Sequence, residues 1–123
     1  MTLKAILVED SQTIRDNLIP ALNDLAGVEV IAIAETEDDA VRVLAENPGW
    51  DLVIVDLFLR EGTGLTVLRA CEARQPHQHA IVLTNYPNPL IRERCTAIGA
   101  DAIYDKSEDL EALFEHCLRY QKG

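Results

Sequence analysis

The chain has 123 residues, 48% of them hydrophobic, which predicts one globular domain over residues 1–123 and excludes a disordered tail. Its formal net charge of −10 argues against nucleic-acid binding, because affinity for phosphate backbones comes mostly from Lys and Arg. No apolar run reaches the ~20 residues of a membrane helix, and no signal peptide opens the chain, so we expect a cytoplasmic protein without a membrane segment.

Short apolar segments alternate with segments of helical periodicity along the chain. The apolar segments predict strands at residues 5–8, 28–34, 52–55, 80–83 and 102–104. Apolar residues spaced three or four apart predict five helices, with faces that include Leu18 and Leu22, Ala40 and Val43, Leu65 and Leu68, Ile91 and Cys95, and Leu113 and Cys117. This order predicts an α/β fold, a doubly wound parallel sheet of five strands with helices on both faces.

Several residues at the predicted helix boundaries have capping preferences. Thr36 and Asn88 are expected to cap the second and fourth helices, and Ser107 the fifth. Pro20 falls inside the first helical pattern and should kink that helix. The fifth helical pattern runs almost to the last residue, so we expect no output domain in this chain. A fragment whose output domain was removed is the alternative.

Chemically active side chains follow the predicted strands at their carboxyl ends, where ligands bind in open α/β sheets. Glu9 and Asp10 follow the first strand, Asp56 the third, Thr84 the fourth and Lys106 the fifth. Carboxylates packed together repel one another unless a cation neutralises them, and oxygen-only ligands favour Mg²⁺. An ammonium and a hydroxyl can both bind a phosphate oxygen. The edge therefore predicts phosphoryl transfer to an Asp nucleophile with Mg²⁺ as the cofactor.

Each of these residues alone has an ordinary structural explanation. A carboxylate such as Glu9 or Asp10 often caps a helix, and Lys106 alone is most often a solvated charge. Thr84 alone is most often a strand or turn residue. The prediction depends on all of these residue types falling at one edge of the sheet.

Several short motifs fall in a fixed order along the chain. They are Val8-Glu9-Asp10-Ser11, Val55-Asp56-Leu57-Phe58-Leu59, Gly62-Thr63-Gly64, Leu83-Thr84-Asn85, Gly99-Ala100-Asp101-Ala102 and Asp105-Lys106-Ser107. In this order and spacing, the chain resembles the receiver domain of two-component response regulators over essentially its whole length. The resemblance implies a flavodoxin-like (βα)5 fold with strand order 2-1-3-4-5.

The resemblance also implies a role for each matching residue. Asp56 matches the phospho-acceptor. Asp10 matches a direct Mg²⁺ ligand, Glu9 matches an acid that acts on Mg²⁺ through water, and the backbone carbonyl of Phe58 matches a further metal ligand. Thr84 matches the hydroxyl that turns toward the phosphoryl group, and Lys106 matches the ammonium that pairs with that group. The implied donor is a sensor histidine kinase or a histidine phosphotransfer protein. The implied output runs through the fourth helix, fifth strand and fifth helix to an effector protein, without enzymatic activity beyond the domain's own phosphorylation and dephosphorylation.

The chain departs from the family pattern at the position that usually reports phosphorylation. Ile103 stands three residues before Lys106, where an aromatic residue is usual, and Tyr104 follows it. Neighbouring side chains of a strand point to opposite faces, so we expect Tyr104 to pack against a helix. In the family that the chain resembles, the positions of Phe58 and Tyr86 flank the path of the hydrolytic water, so we expect these two bulky side chains to shield the acyl phosphate.

Three other protein classes fit the same residues less well. A phosphorylation-independent pseudo-receiver would not need the intact set of acids, threonine and lysine. A haloacid-dehalogenase-like phosphatase places DxD after its first strand, where this chain has Glu9-Asp10-Ser11 and no cap insertion. A flavodoxin needs a phosphate-binding loop rich in Ser, Thr and Gly at that place.

Overall fold

Strands and helices alternate through the computed structural model, which describes residues 2–85 and 87–122. The elements are β1 (Leu3–Val8), α1 (Gln12–Ala26), β2 (Val28–Ala34), α2 (Glu37–Glu46), β3 (Leu52–Val55), α3 (Gly64–Ala70), β4 (His79–Thr84), α4 (Pro89–Ile98), β5 (Ala102–Asp105) and α5 (Leu110–Lys122). The predicted α/β fold class is confirmed. Among the described helices, none combines the length and apolar character that crossing a bilayer requires.

The five strands form one parallel sheet in the order β2-β1-β3-β4-β5. Val8 pairs with Val55, and Val55 pairs in turn with Val82. Thr84, at the end of β4, pairs with Asp105 at the end of β5. The carboxyl ends of β1, β3, β4 and β5 therefore lie side by side at one edge of the sheet.

The core consists of two hydrophobic clusters, one on each face of the sheet. Successive side chains of a strand point to opposite faces, so Val53 and Val55 of β3 belong to one cluster and Leu52 and Ile54 to the other. All four residues are buried, which explains why β3 is a continuous apolar run. Burial of one such side chain contributes about 1.5–3 kcal/mol to folding. The central strands, whose carboxyl ends form this edge, are thus packed against a hydrophobic cluster on each face.

Most predicted helix boundaries are confirmed. The Thr36 hydroxyl accepts a hydrogen bond from the Asp39 amide at 3.1 Å, and the Asn88 side chain accepts one from the Ile91 amide at 2.9 Å. The prediction that Ser107 caps α5 is wrong, because α5 begins only at Leu110.

A side chain that competes with the helix explains the late start of α5. The amides of Ser107 and Glu108 donate to Oδ1 of Asp105 at 2.7 and 3.2 Å, which holds the segment after β5 in a turn. Pro20 lies within α1, as the sequence indicates, and the helix continues on both sides of it.

Candidate functional site

Backbone hydrogen bonds extend beyond the strand ends at the edge formed by the carboxyl ends of β1, β3, β4 and β5. The Asp56 amide donates to the Val8 carbonyl at 2.9 Å, directly after β3. The Lys106 amide donates to the Thr84 carbonyl at 3.0 Å, directly after β5. Because both bonds continue the parallel ladder by one residue, the side chains that follow the strands are placed as firmly as the strands themselves.

Lys106 lies between two buried carboxylates. Its Nζ is 2.5 Å from Oε1 of Glu9 and 2.9 Å from Oδ2 of Asp56. The three side chains are only 9%, 3% and 7% exposed. Charges this far from water persist only when they are paired. The ammonium therefore lies where it compensates the charge of both carboxylates.

Burial and ion pairing shift the pKa values of Glu9 and Lys106. Burial raises the pKa of Glu9, against the opposing effect of its hydrogen bonds with Lys106 and the Ser11 amide. Burial acts to lower the pKa of Lys106, but hydrogen bonds to Glu9 and Asp56 outweigh it, and the pKa is raised. Lys106 consequently stays cationic at neutral pH.

The acidic side chains at this edge fit a hard divalent cation. Carboxylate oxygens of Glu9, Asp10 and Asp56 all lie within 4.8 Å of one another. These three carboxylates face the single ammonium of Lys106, so negative charge is in excess. Mg²⁺ is bound in proteins by carboxylate, carbonyl and water oxygens, usually with only one or two carboxylates contacting it directly. The donor set meets that requirement without nitrogen or sulfur ligands.

The other predicted site residues lie around this cluster. The Phe58 amide donates to Oδ1 of Asp56 at 3.3 Å, and the Phe58 side chain is exposed at the rim of the site. Thr84 is fully buried at the end of β4, which is the strand next to β3. The structure thus brings Glu9, Asp10, Asp56 and Lys106 together and places the other two beside them, whereas Tyr86 lies outside the described residues.

Two glycines shape the loop that follows Asp56. A Cβ at Gly64 would lie 2.3 Å from the carbonyl oxygen of Asp56, so a side chain there would displace the Asp56 backbone. Gly62 has a φ of +83° and lies against the side chain of Glu37 from α2. The Glu37 carboxylate accepts a hydrogen bond from the Thr63 amide at 3.0 Å. These contacts explain why the Gly62-Thr63-Gly64 motif has glycine at its first and third positions.

Sequence reasoning missed Arg15 and Glu37. Both belong to helices and read as solvent-facing charges, because hydrophobic periodicity assigns only apolar positions to the protein interior. Arg15 nevertheless donates to the backbone carbonyl of Glu9 at 2.8 Å. In the sequence, Arg15 could have been found only by looking for a long polar side chain one turn into α1, the helix that follows Glu9 and Asp10.

The side chains of Ile103 and Tyr104 lie on opposite faces of β5, as predicted. Ile103 packs against the cluster that contains Cys95 of α4. The Tyr104 hydroxyl lies 2.6 Å from Nδ1 of His116 on α5, and Nε2 of His116 lies 2.7 Å from the Tyr120 hydroxyl. Tyr104 is therefore a packing residue between β5 and α5.

Protonation of His116 should reduce stability, since burial, aided by the charge of Arg119, lowers its pKa in the folded chain. The unfolded chain then binds more protons below the ordinary histidine pKa of about 6.5. The stability that neutral His116 contributes is therefore fully present above about pH 6.5 and is lost as the pH falls below that value. We expect the thermal midpoint to drop less between about pH 7.5 and 5.5 in His116→Gln protein than in wild type. His77→Gln, at an exposed position, is the control; equal drops in all three proteins would contradict the prediction.

Comparison with known proteins gives matches over most of the chain. Residues 5–118 match the family model of the response regulator receiver domain. A cyclic di-GMP phosphodiesterase of Thermotoga maritima is 32% identical over 120 residues, which cover 95% of this chain and 31% of that protein. The response regulator GacA of Pseudomonas aeruginosa is 25% identical over 113 residues, which cover 92% of this chain and 52% of that protein. The chain thus spans about a third to a half of the length of these relatives.

Solved structures show the same fold. A DNA-binding response regulator of the LuxR family from Staphylococcus aureus has a TM-score of 0.85 at 23% identity, covering 96% of this chain and 98% of that one. The response regulator domain of Thermotoga maritima CheB has a TM-score of 0.81 at 16% identity, covering 99% of this chain and 96% of that one. At this level of identity, the likeness concerns the fold alone.

Proposed function

Because the chain belongs to the receiver-domain family of two-component response regulators, we propose that it carries a signal by accepting a phosphoryl group on Asp56. The observation that carries this proposal is the position of Lys106, which bridges Glu9 and Asp56 beside Asp10. A nucleophilic carboxylate, a cation-binding pair of acids and a fixed ammonium are the parts that phosphoryl transfer to aspartate needs.

The reaction is an in-line displacement by the Asp56 carboxylate. One of its oxygens forms a bond to phosphorus while the bond from phosphorus to the donor's imidazole nitrogen breaks, and that nitrogen keeps the electron pair. Asp10 and Asp56, with Glu9 and the backbone carbonyl of Phe58, would hold Mg²⁺. The ion, when bound, neutralises charge on the transferring group.

Lys106 and Thr84 stabilise the product. The Lys106 ammonium contacts the Asp56 carboxylate before transfer and afterwards pairs with a phosphoryl oxygen. Thr84 ends the neighbouring strand, from which its hydroxyl turns to donate to another phosphoryl oxygen. The turn of Thr84 draws the segment after β4 toward the site, and in this way the local charge change reaches the surface.

An apolar groove beside the site supports docking of the phosphodonor. The groove has a volume of about 260 Å³ and lies between α1 and α5, with Lys106 at its rim. Ile14 and Leu18 line it from α1, and Leu110 and Phe114 from α5. We propose that it receives a sensor histidine kinase or a histidine phosphotransfer protein, in the cytoplasm.

Output is proposed to leave through α4, β5 and α5 to an effector protein. Arg92 of α4 donates to the Pro87 carbonyl at 3.0 Å and to the Ile103 carbonyl at 3.2 Å. This side chain links the segment after β4 to β5, at the position where the family usually has an aromatic residue. A shift of Thr84 therefore has a direct route to β5 without that aromatic side chain.

Acetyl phosphate tests the proposal. After incubation with this donor and Mg²⁺, intact-mass spectrometry should show one added phosphoryl group, which a chelator prevents and neutral hydroxylamine removes. The last property identifies an acyl phosphate rather than a phosphoester. Wild-type protein that is folded by circular dichroism but gains no group would refute phosphorylation and favour a phosphorylation-independent interaction module.

Phe58 should prolong the life of the acyl phosphate. Its side chain is 53% exposed at the rim of the site, directly beyond the amide that bonds to Asp56. Replacement by asparagine opens the path of the attacking water, and we expect the phosphorylated form to decay about two- to tenfold faster. The decay is followed by intact mass after donor removal. Leu90→Asn, at an exposed position on α4, is the control; equal decay rates in wild-type and Phe58→Asn protein would refute shielding.

A further inference from the structure

Arg15 connects three segments at the acidic edge. It lies on α1, and its side chain is only 13% exposed. Its Nη1 donates to the backbone carbonyl of Glu9 at 2.8 Å and lies 3.1 Å from Oε2 of Glu35, the residue after β2. A largely buried guanidinium that contacts a carbonyl oxygen and a carboxylate is held in one orientation.

The contact with Glu9 acts on the peptide unit that precedes Asp10. The Glu9 amide donates to the Ala34 carbonyl at 2.9 Å, and its carboxylate accepts a hydrogen bond from the Ser11 amide at 3.0 Å. With its carbonyl held by Arg15 as well, the Glu9 backbone has both polar groups engaged. The Glu9–Asp10 peptide is thereby held in place as far as the Cα of Asp10, from which the Asp10 side chain leaves the backbone.

We propose that Arg15 is a positioning residue that orients Asp10 for Mg²⁺; this inference rests on the proposed function. Arg15 makes its contact through the Glu9 carbonyl and acts on the metal through the backbone alone. It therefore governs the affinity for Mg²⁺ rather than the chemistry at Asp56.

Charge and geometry act in opposite directions here. A cation near an acidic site repels Mg²⁺, so removal of Arg15 would tighten Mg²⁺ binding if charge alone mattered. Removal of Arg15 also leaves the Glu35 carboxylate, 3.1 Å away, without this partner, which acts in the same direction. Because Mg²⁺ demands near-ideal placement of its oxygen ligands, we expect loss of orientation to outweigh this change in charge, and the sign of the change in affinity distinguishes the two effects.

Mg²⁺ titration of variant proteins tests the inference. Isothermal calorimetry on Arg15→Met protein should give a dissociation constant about three- to tenfold above wild type, because a hydrogen bond with a charged donor is lost. Arg15→Lys keeps the charge but lacks the planar guanidinium that places Nη1 between its two acceptors, so its dissociation constant should fall in between. Arg42→Met is the matched control, because Arg42 pairs with Asp39 and Glu46 on its own helix and is exposed.

A second readout separates positioning from folding. The backbone amide resonance of Asp10 should shift in Arg15→Lys protein, and the phosphorylation rate should recover at saturating Mg²⁺. An unchanged or tighter dissociation constant in Arg15→Met and Arg15→Lys protein, with phosphorylation intact, overturns the role of Arg15 alone. Wild-type protein that binds Mg²⁺ but accepts no phosphoryl group overturns the proposed function, while weaker Mg²⁺ binding by the variants still supports the role of Arg15.

Discussion

Asp56→Asn protein is expected to gain no phosphoryl group under conditions that phosphorylate the wild type. The amide keeps the shape of the side chain but has no anionic oxygen to attack phosphorus, so the loss should exceed about 10³-fold. The fold should survive, because Lys106 keeps Glu9 as its partner at 2.5 Å. Intact mass after incubation with acetyl phosphate and Mg²⁺ measures the loss.

A second aspartate at the opposite end of the same strand provides the control. Asp51 directly precedes β3, and its carboxylate accepts a hydrogen bond from the Lys4 amide at 2.9 Å. Asp51→Asn removes one negative charge at the opposite edge of the sheet, before β3 begins, and should leave phosphorylation unchanged. An undiminished adduct on Asp56→Asn protein would assign the phosphoryl group to another residue and refute the proposal.

Lys106→Met protein is expected to show two changes of opposite sign. Phosphorylation should slow by about 10²- to 10³-fold, the usual cost of removing a charged donor from a developing negative charge. Mg²⁺ should bind more tightly, because the ammonium that now contacts Glu9 and Asp56 no longer competes for their oxygens. Calorimetry and single-turnover mass spectrometry measure the two effects separately.

The same substitution should destabilise the protein when Mg²⁺ is absent. Removing one partner from a buried charge cluster costs about 3–5 kcal/mol, less whatever the acids recover by taking up a proton. Mg²⁺ should restore most of that stability, since it supplies the missing positive charge. Urea unfolding with and without Mg²⁺ tests this, and Lys106→Arg, which keeps the charge, is the control. A Lys106→Met protein as stable as the wild type without Mg²⁺ would show that the ion pairs contribute nothing to folding.

Local patterns predicted the elements well because each element meets the core in a regular pattern. Strand β3 is covered on both faces, so each of its residues is apolar and its bounds follow directly from the sequence. The start of α5 was predicted wrongly because the Asp105 carboxylate accepts from the amides of Ser107 and Glu108 and holds them in a turn. A capping preference states which residue can begin a helix, but not which neighbouring side chain reaches the amide first.

The sequence by itself determined the fold class, the strand order expected from family motifs, and which residues stand at the carboxyl ends of the strands. The tertiary structure alone decided that Lys106 bridges Glu9 and Asp56 and that Arg15 holds the Glu9 backbone. Hydrophobic periodicity records how each element meets the core over a few residues. Contacts among side chains far apart in sequence arise only when the register of adjacent strands and the helices packed on them place those side chains together.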